Sequence, residues 1–241
     1  MSSTLFPHSS PACLPDVIDA ARQGESLLDV RHGERSGILS GIQRRLRRER
    51  RRRKVGRAYD MALEIARLIP NAYEILDVGC GNGFIAHHLA GLLGSYVVGI
   101  DVNGHPEAPI NFQRYDGKHF PAADHTFEAA LFCYVLHHAQ DVDAILRELK
   151  RVLRDDGLAV VYEDIPATWV DRLVCGIHNR KWRGRTGQCT FRQEQDWRET
   201  FQAAGFELVQ ERTLSRWRNL VHPVQRKLFL LQLRLTAQST N

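Results

Sequence analysis

The pattern of apolar positions changes character along the chain. Residues 1–35 are rich in Ser, Pro, Gly and charge without sustained periodicity, which predicts a poorly ordered N-terminal extension. From residue 36 to about 70 the spacing turns helical. Ile38, Ile42 and Leu46 recur every four residues as a narrow stripe that gives way to Arg50–Lys54. A second helical stretch, Ala58 to Ile69, sets Met61, Ile65 and Leu68 on one face and stops before Pro70.

Beyond Pro70, short apolar runs alternate with amphipathic stretches, the pattern of βαβ units and a mostly parallel sheet over 71–241. The expected strands are Glu74–Val78, Tyr96–Ile100, Asn111–Tyr115, Phe127–Phe132 and Leu158–Glu163, followed by Phe206–Leu214 and Lys227–Leu235 as a final edge-paired hairpin. Helices are expected over Gly83–Leu93, Val142–Leu153 and around Gln193–Ala204. About ten residues separate Asp101 from the third strand, short of the dozen or more of a full crossover. With His105-Pro106 there, that link is expected to lack its helix. The polar stretch Ile165–Arg192, with Trp169, His178 and Trp182, has the length of a lid or substrate loop over 166–192.

Charge adds a second asymmetry. The net charge of +5 over 241 residues conceals nine arginines and one lysine against one glutamate between Arg44 and Arg57, so the rest of the chain is net acidic. That composition argues against a nucleic-acid-binding surface on the main body. No apolar run approaches the roughly 20 residues of a membrane span, and the first 15 residues lack the basic start and apolar core of a secretory signal. A cytoplasmic location is expected, peripheral attachment to a membrane remaining open. The five cysteines, at 13, 80, 133, 175 and 189, include no C-x-x-C pair and read as reduced thiols. Cys175, His178 and Cys189 could be imagined as metal ligands, but they lack an evident fourth ligand and match no common spacing, so no metal is expected.

The candidate chemistry centres on Asp77-Val78-Gly79-Cys80-Gly81-Asn82-Gly83, where a strand runs into a glycine turn and then a helix. Such a turn lets backbone approach a ligand where a Cβ would clash. Dinucleotide sites favour G-x-G-x-x-G, whereas the register here is G-x-G-x-G with an acid two positions before the first glycine. Asp101, in Val-Val-Gly-Ile-Asp, stands about twenty residues beyond the glycines, where a carboxylate can accept hydrogen bonds from both hydroxyls of a ribose; the alternative is a loop cap.

These segments resemble the first two motifs of class I S-adenosylmethionine-dependent methyltransferases. Three further segments extend the resemblance in the family's order across about Glu74–Leu214: Tyr115-Asp116-Gly117 with Phe120-Pro121 and Asp124–Glu128; Val135-Leu136-His137-His138 with Leu146–Leu153 and Asp156-Gly157-Leu158; and Trp197, Phe201 and Ala204-Gly205-Phe206. The resemblance implies a Rossmann-like α/β fold, a seven-stranded mostly parallel sheet with an antiparallel last strand and helices on both faces. It implies S-adenosyl-L-methionine as cofactor and S-adenosyl-L-homocysteine as product. By the same resemblance Asp77, Gly79, Cys80, Gly81, Asn82 and Gly83 would hold the methionine and ribose parts. Asp101 and Val102 would hold the ribose, Asp116 and Gly117 the adenine, and Phe132 and Cys133 would lie beside the sulfonium. The missing helix after Asp101 removes most of the usual adenine wall.

Methyl transfer from a sulfonium needs alignment and exclusion of water more than acid–base chemistry. A hydroxyl acceptor adds a need for a base, and His137 or His138 is the candidate, with His178 and Tyr134 behind them; the alternative is that one histidine supports the loop and the other packs in the core. The expected acceptor is a small molecule or a lipid headgroup. The run Arg44–Arg57 is a solvated helix face, an anchor for an acidic membrane surface or RNA, or part of the acceptor pocket. An RNA methyltransferase and a non-catalytic cofactor-binding module are the competing readings.

Overall fold

The computed structural model describes residues 38–216 and 222–234. The expectation for residues 1–35 lies outside the described residues. The chain divides into two units, residues 1–56 and 57–241. In the first unit, residues 38–56 are helical, and the side chains from Gln43 to Arg53 lie exposed, with an ion pair between Arg53 and Glu49 at 3.1 Å.

The two helices expected between residues 36 and 70 are one: α1 runs from Ile38 to Leu68. The arginine run interrupts the apolar stripe, but arginine is a good helix former and no proline breaks the segment, so the backbone stays helical. There follow β1 (Glu74–Val78), α2 (Phe84–Leu93), β2 (Tyr96–Asp101), β3 (Asn111–Arg114), β4 (Phe127–Cys133), a 3-10 turn at Leu136–His138, α3 (Val142–Val152), β5 (Leu153–Ile165), α4 (Trp169–Thr186), α5 (Glu194–Ala203), β6 (Phe206–Leu214) and β7 (Gln225–Leu233).

Among the described residues the sheet has seven strands in the order β3-β2-β1-β4-β5-β7-β6. β7 alone runs opposite to the other six strands. The expected antiparallel last strand is present, and the final hairpin lies at one edge of the sheet with β6 outermost. β7 inserts between β5 and β6, because its run Lys227–Leu231 is buried and an edge would leave one side of it unpaired. The link from Val102 to Ile110 carries no helix, as its length predicts.

Strand residues alternate between two apolar layers. Ile75, Val97, Leu131, Val160 and Leu228 face α2 and the Ala62–Ile69 end of the first helical segment. Leu76, Val98, Phe132, Val161 and Phe229 face α3 and α5, whose Trp197 and Phe201 rings stack at 5.5 Å. The stretch expected as a lid loop contains the 18-residue helix α4, a correction that bears directly on the site. No described helix is long and apolar enough to cross a membrane.

Candidate functional site

At the C-terminal end of β1 the chain makes the tight turn its glycines predict. Gly79, Gly81 and Gly83 all take left-handed backbone, with φ of 69°, 55° and 77°. The amides of Gly79 and Cys80 donate to the Ile100 carbonyl at 2.7 and 3.1 Å, tying the turn to β2. A Cβ on Gly79 would collide with Val135, and one on Gly83 would lie 2.8 Å from Ile110 Cδ1; a Cβ on Gly81 would meet nothing within 4 Å. Gly81 is therefore the position of closest open approach. Asp101 closes the turn from β2, its Oδ2 accepting from the Gly81 amide at 2.9 Å and its Oδ1 from the Asn103 amide at 2.8 Å. The Asn82 carbonyl accepts from the amides of Glu107 and Ala108, so the helix-free link after β2 folds back onto the glycines.

Beneath this turn Asp77 is buried, and its Oδ2 has no hydrogen-bond partner among the described residues. Burial, and then the charge of Asp101, push its carboxyl up to about 7. The Cys80 thiol is raised by burial and by the same two carboxylates, which keeps it protonated. On the β3 side, Val102 lies against Gly117. The exposed Asp116 carboxylate is engaged by its own loop: it accepts from the amides of His119 and Lys118 and meets His119 Nδ1 at 2.8 Å. Those hydrogen bonds, led by the His119 amide, hold it well below the usual carboxylate range. Burial, then Asp101 and Asp116, raise the Tyr115 phenol to about 12.

The end of β4 connects this turn to a second constellation. Phe132 is fully buried in the layer under α3, while Cys133 and Tyr134 pack on the opposite layer. Tyr134 takes left-handed backbone, φ 63°, unusual for a bulky residue and a sign of local constraint. Val135 then covers Gly79, and the 3-10 turn presents His137 and His138. His137 Nδ1 lies 2.6 Å from Glu163 Oε2, and the Leu136 amide donates to the other oxygen of Glu163 at 2.7 Å. Burial opposes charge on His137, but the charge and hydrogen bond of Glu163 outweigh it and raise the imidazole above its ordinary value. His138 Nδ1 is 3.2 Å from Cys189 Sγ, and its Nε2 is 3.3 Å from His178 Nε2 on α4. Burial, then neighbouring histidines, lower His138 to about 3 and His178 to about 4, so both are neutral near pH 7. Phe191 stacks on His137 at 4.7 Å, and Trp182 lies edge-on to His138.

A strand-ending acid, a glycine turn beneath an open approach, a second acid one strand over, and a βαβ order with β7 reversed form one combination. The sequence model of the methyltransferase-domain family matches residues 43–211. The chain belongs to that family. Among curated relatives, the methyltransferase GfsG of Streptomyces halstedii is 28% identical over 118 residues, which cover 44% of this chain and 42% of GfsG. The ubiquinone/menaquinone biosynthesis C-methyltransferase UbiE of Desulfotalea psychrophila is 34% identical over 110 residues, covering 40% of this chain and 44% of UbiE. The chain thus spans less than half the length of the curated relatives it matches. Among solved structures, the (4+2)-cyclase SpnF has a TM-score of 0.59 at 18% identity, over 73% of this chain and 82% of SpnF. A SAM-dependent methyltransferase from Methanosarcina mazei has a TM-score of 0.55 at 20% identity, over 67% of this chain and 92% of that one. These likenesses give the methyltransferase domain its Rossmann-like class I fold.

Within the domain, Asp77, Gly79, Cys80, Gly81, Asn82, Gly83 and Asp101 come together at one turn, with Val102, Asp116 and Gly117 along the β2–β3 edge. His137 and His138 lie beyond Val135, against α4. Sequence reasoning missed Glu163, which engages His137, and Asp164, which engages His222 at 2.8 Å. Two adjacent acids at the end of the otherwise apolar run Leu158–Tyr162 are the signal that could have found them.

Proposed function

We propose that the protein is an S-adenosylmethionine-dependent methyltransferase acting on a small-molecule or lipid-headgroup acceptor held where the end of β4 meets α4. The observation that carries this reading is the glycine turn itself. Gly81 opens a cradle that a Cβ would fill, above a buried carboxyl whose Oδ2 lacks a partner among the described residues. Both features fit a ligand with a cationic ammonium and a sugar. Asp77 and residues Gly79 to Gly83 would hold the methionine and ribose parts. The remaining lone pairs of Asp101, with Val102, would take the ribose, and Asp116 and Gly117 the adenine, Asp116 doing so from a loop it already caps. Phe132 would back the end of β4 from the core, with Cys133 beside the methyl-bearing sulfur.

When bound, S-adenosylmethionine supplies a methyl group on a positively charged sulfur, open to in-line displacement by an acceptor. The chain's own residues bind, orient and keep out water. Val135 packs over Gly79, and α4 with Trp182 and Phe191 walls the histidine pair. For a hydroxyl acceptor, and with no metal ion on the histidines, His137 and His138, with His178 and Tyr134 alongside, are the groups that would take the proton. The outer face of α4 carries Trp169, Leu173 and Ile177 exposed at helical spacing, and this apolar stripe supports an apolar acceptor or one at a lipid surface. The quinone-biosynthesis name of UbiE is in keeping with such an acceptor.

The arginines exposed between Arg44 and Arg53 favour a second reading, an RNA or acidic-membrane anchor. Calorimetric titration of wild type and Asp101→Ala with S-adenosylmethionine and S-adenosylhomocysteine tests the cofactor site. Labelled methyl transfer into lipid, RNA and small-molecule fractions then tests the acceptor. No binding at millimolar ligand overturns the proposal. Binding without transfer into any fraction points to a cofactor-binding module or to other chemistry, as in the cyclase SpnF.

A further inference from the structure

Three histidines from two distant parts of the chain converge beside the end of β4, and one ring nitrogen of each lies within 4.8 Å of the others. We infer that His137, His138 and His178 form a binding site for a divalent transition-metal ion of the zinc class, with one coordination position left for water or an acceptor oxygen.

The geometry is that of a site prepared for ligation. His137 is buried with its Nδ1 pinned by Glu163, and its Nε2 has no hydrogen-bond partner among the described residues. A carboxylate on one ring nitrogen with the other nitrogen left for the ion is the usual outer-shell arrangement of a metal-bound histidine. A buried nitrogen left without a partner is otherwise unfavourable. His138 and His178 face each other through their Nε2 atoms at 3.3 Å. Tetrahedral coordination with bonds of about 2.0–2.1 Å sets neighbouring ligand nitrogens about 3.4 Å apart, so this edge is already at ligation distance. His138 also has an outer partner, Cys189 Sγ at 3.2 Å from its Nδ1, and the Cys189 amide is fixed by Asn179 Oδ1 at 2.9 Å. Three imidazoles select zinc, cobalt, nickel or iron over magnesium and calcium, which prefer oxygen. The donor set differs from the trio Cys175, His178 and Cys189 weighed from the sequence. It retains His178, moves Cys189 to the outer shell and draws its other two ligands from the turn after β4.

Metal binding does not depend on methyl transfer, so the two fail separately. The full-length protein, stripped with chelator, is titrated with Co2+ and with Zn2+, Mg2+ serving as control. One Co2+ per chain with the visible d–d bands of a four-coordinate site, displaced by Zn2+ and not by Mg2+, is the expected result. His178→Ala, a change on a half-buried helix position, should abolish those bands while circular dichroism stays native. Glu163→Gln should weaken Zn2+ binding by about 10- to 100-fold. Failure of wild type to bind Co2+ or Zn2+ stoichiometrically at micromolar concentration overturns the site. So does a folded His178→Ala variant that binds as well as wild type. S-adenosylhomocysteine titrated into the same metal-free protein reports on the cofactor site independently of either outcome.

Discussion

A Cβ built on Gly79 falls 2.5 Å from Cγ2 of Val135. One contact thus joins the glycine turn after β1 to the segment that carries the histidines after β4. Gly79→Ala meets both a clash and a left-handed backbone, φ 69°. The expected cost is about 1–2 kcal/mol for the backbone and about 1–3 kcal/mol for overpacking. Adding Val135→Ala should recover the overpacking share and leave the backbone share. Urea midpoints of the single and double variants measure this, and simple additivity of the two single changes would show that the contact is not what constrains the turn.

Gly81 offers the opposite case. Its φ is 55°, but nothing lies within 4 Å of an added Cβ. Gly81→Ala should lose only the backbone share, about 1–2 kcal/mol of stability. If the open cradle is where S-adenosylmethionine lies, its affinity should nevertheless fall at least tenfold. Calorimetry beside a melting curve separates the two effects. Unchanged affinity would move the ligand away from this turn.

Asp77 carries a pH signature. Its folded value, about 7, lies above the ordinary 3.8, so its favourable contribution is complete below about pH 3.8 and is lost as pH rises through 7. Asp77→Asn removes a charge that is buried at high pH. The variant should gain stability relative to wild type between pH 5 and pH 8, by up to about 4 kcal/mol at 1.36 kcal/mol per pKa unit. It should bind S-adenosylmethionine more weakly, because a cationic ammonium is the partner that favours the ionised acid. In wild type, affinity should rise from pH 5.5 toward pH 7.5 with release of a proton, seen as a buffer-dependent calorimetric enthalpy. A flat profile would separate Asp77 from the ammonium.

The parallel sheet and its glycine turn were legible because they rest on local rules: a buried strand is a short apolar run, and a left-handed turn selects glycine. α4 was not. Its outward face holds Trp169, Leu173 and Ile177, and its inward face holds Asp171 and Cys175, so the usual apolar-in, polar-out contrast is absent. The signal it did carry was the capping box from Thr168 to Asp171 at its start. The place of β7 between β5 and β6 depends on long-range pairing that periodicity does not encode. The histidine cluster was hidden for the same reason, since His178 reaches His138 from forty positions away.

That capping box supports the last prediction. Asp171 is fully buried and accepts from the Thr168 amide at 2.9 Å, the Thr168 hydroxyl at 2.7 Å and the Gln225 amide of β7 at 3.1 Å. It fastens the start of α4 to the sheet, and α4 in turn carries His178. Thr168→Ala should cost about 1 kcal/mol as the loss of an N-cap. Asp171→Ala should cost more, because the half-buried Gln225 amide then loses its acceptor, adding about 1 kcal/mol or more. Burial opposes the charge of Asp171, but the Thr168 and Gln225 hydrogen bonds and Arg216 outweigh it and hold its carboxyl below 3.8. Its contribution is therefore present above pH 3.8 and lost as pH falls through the lowered value. If α4 walls the acceptor rather than the cofactor, both variants should raise the KM for acceptor with S-adenosylhomocysteine affinity unchanged. An equal loss of cofactor affinity would place α4 over the glycine turn instead.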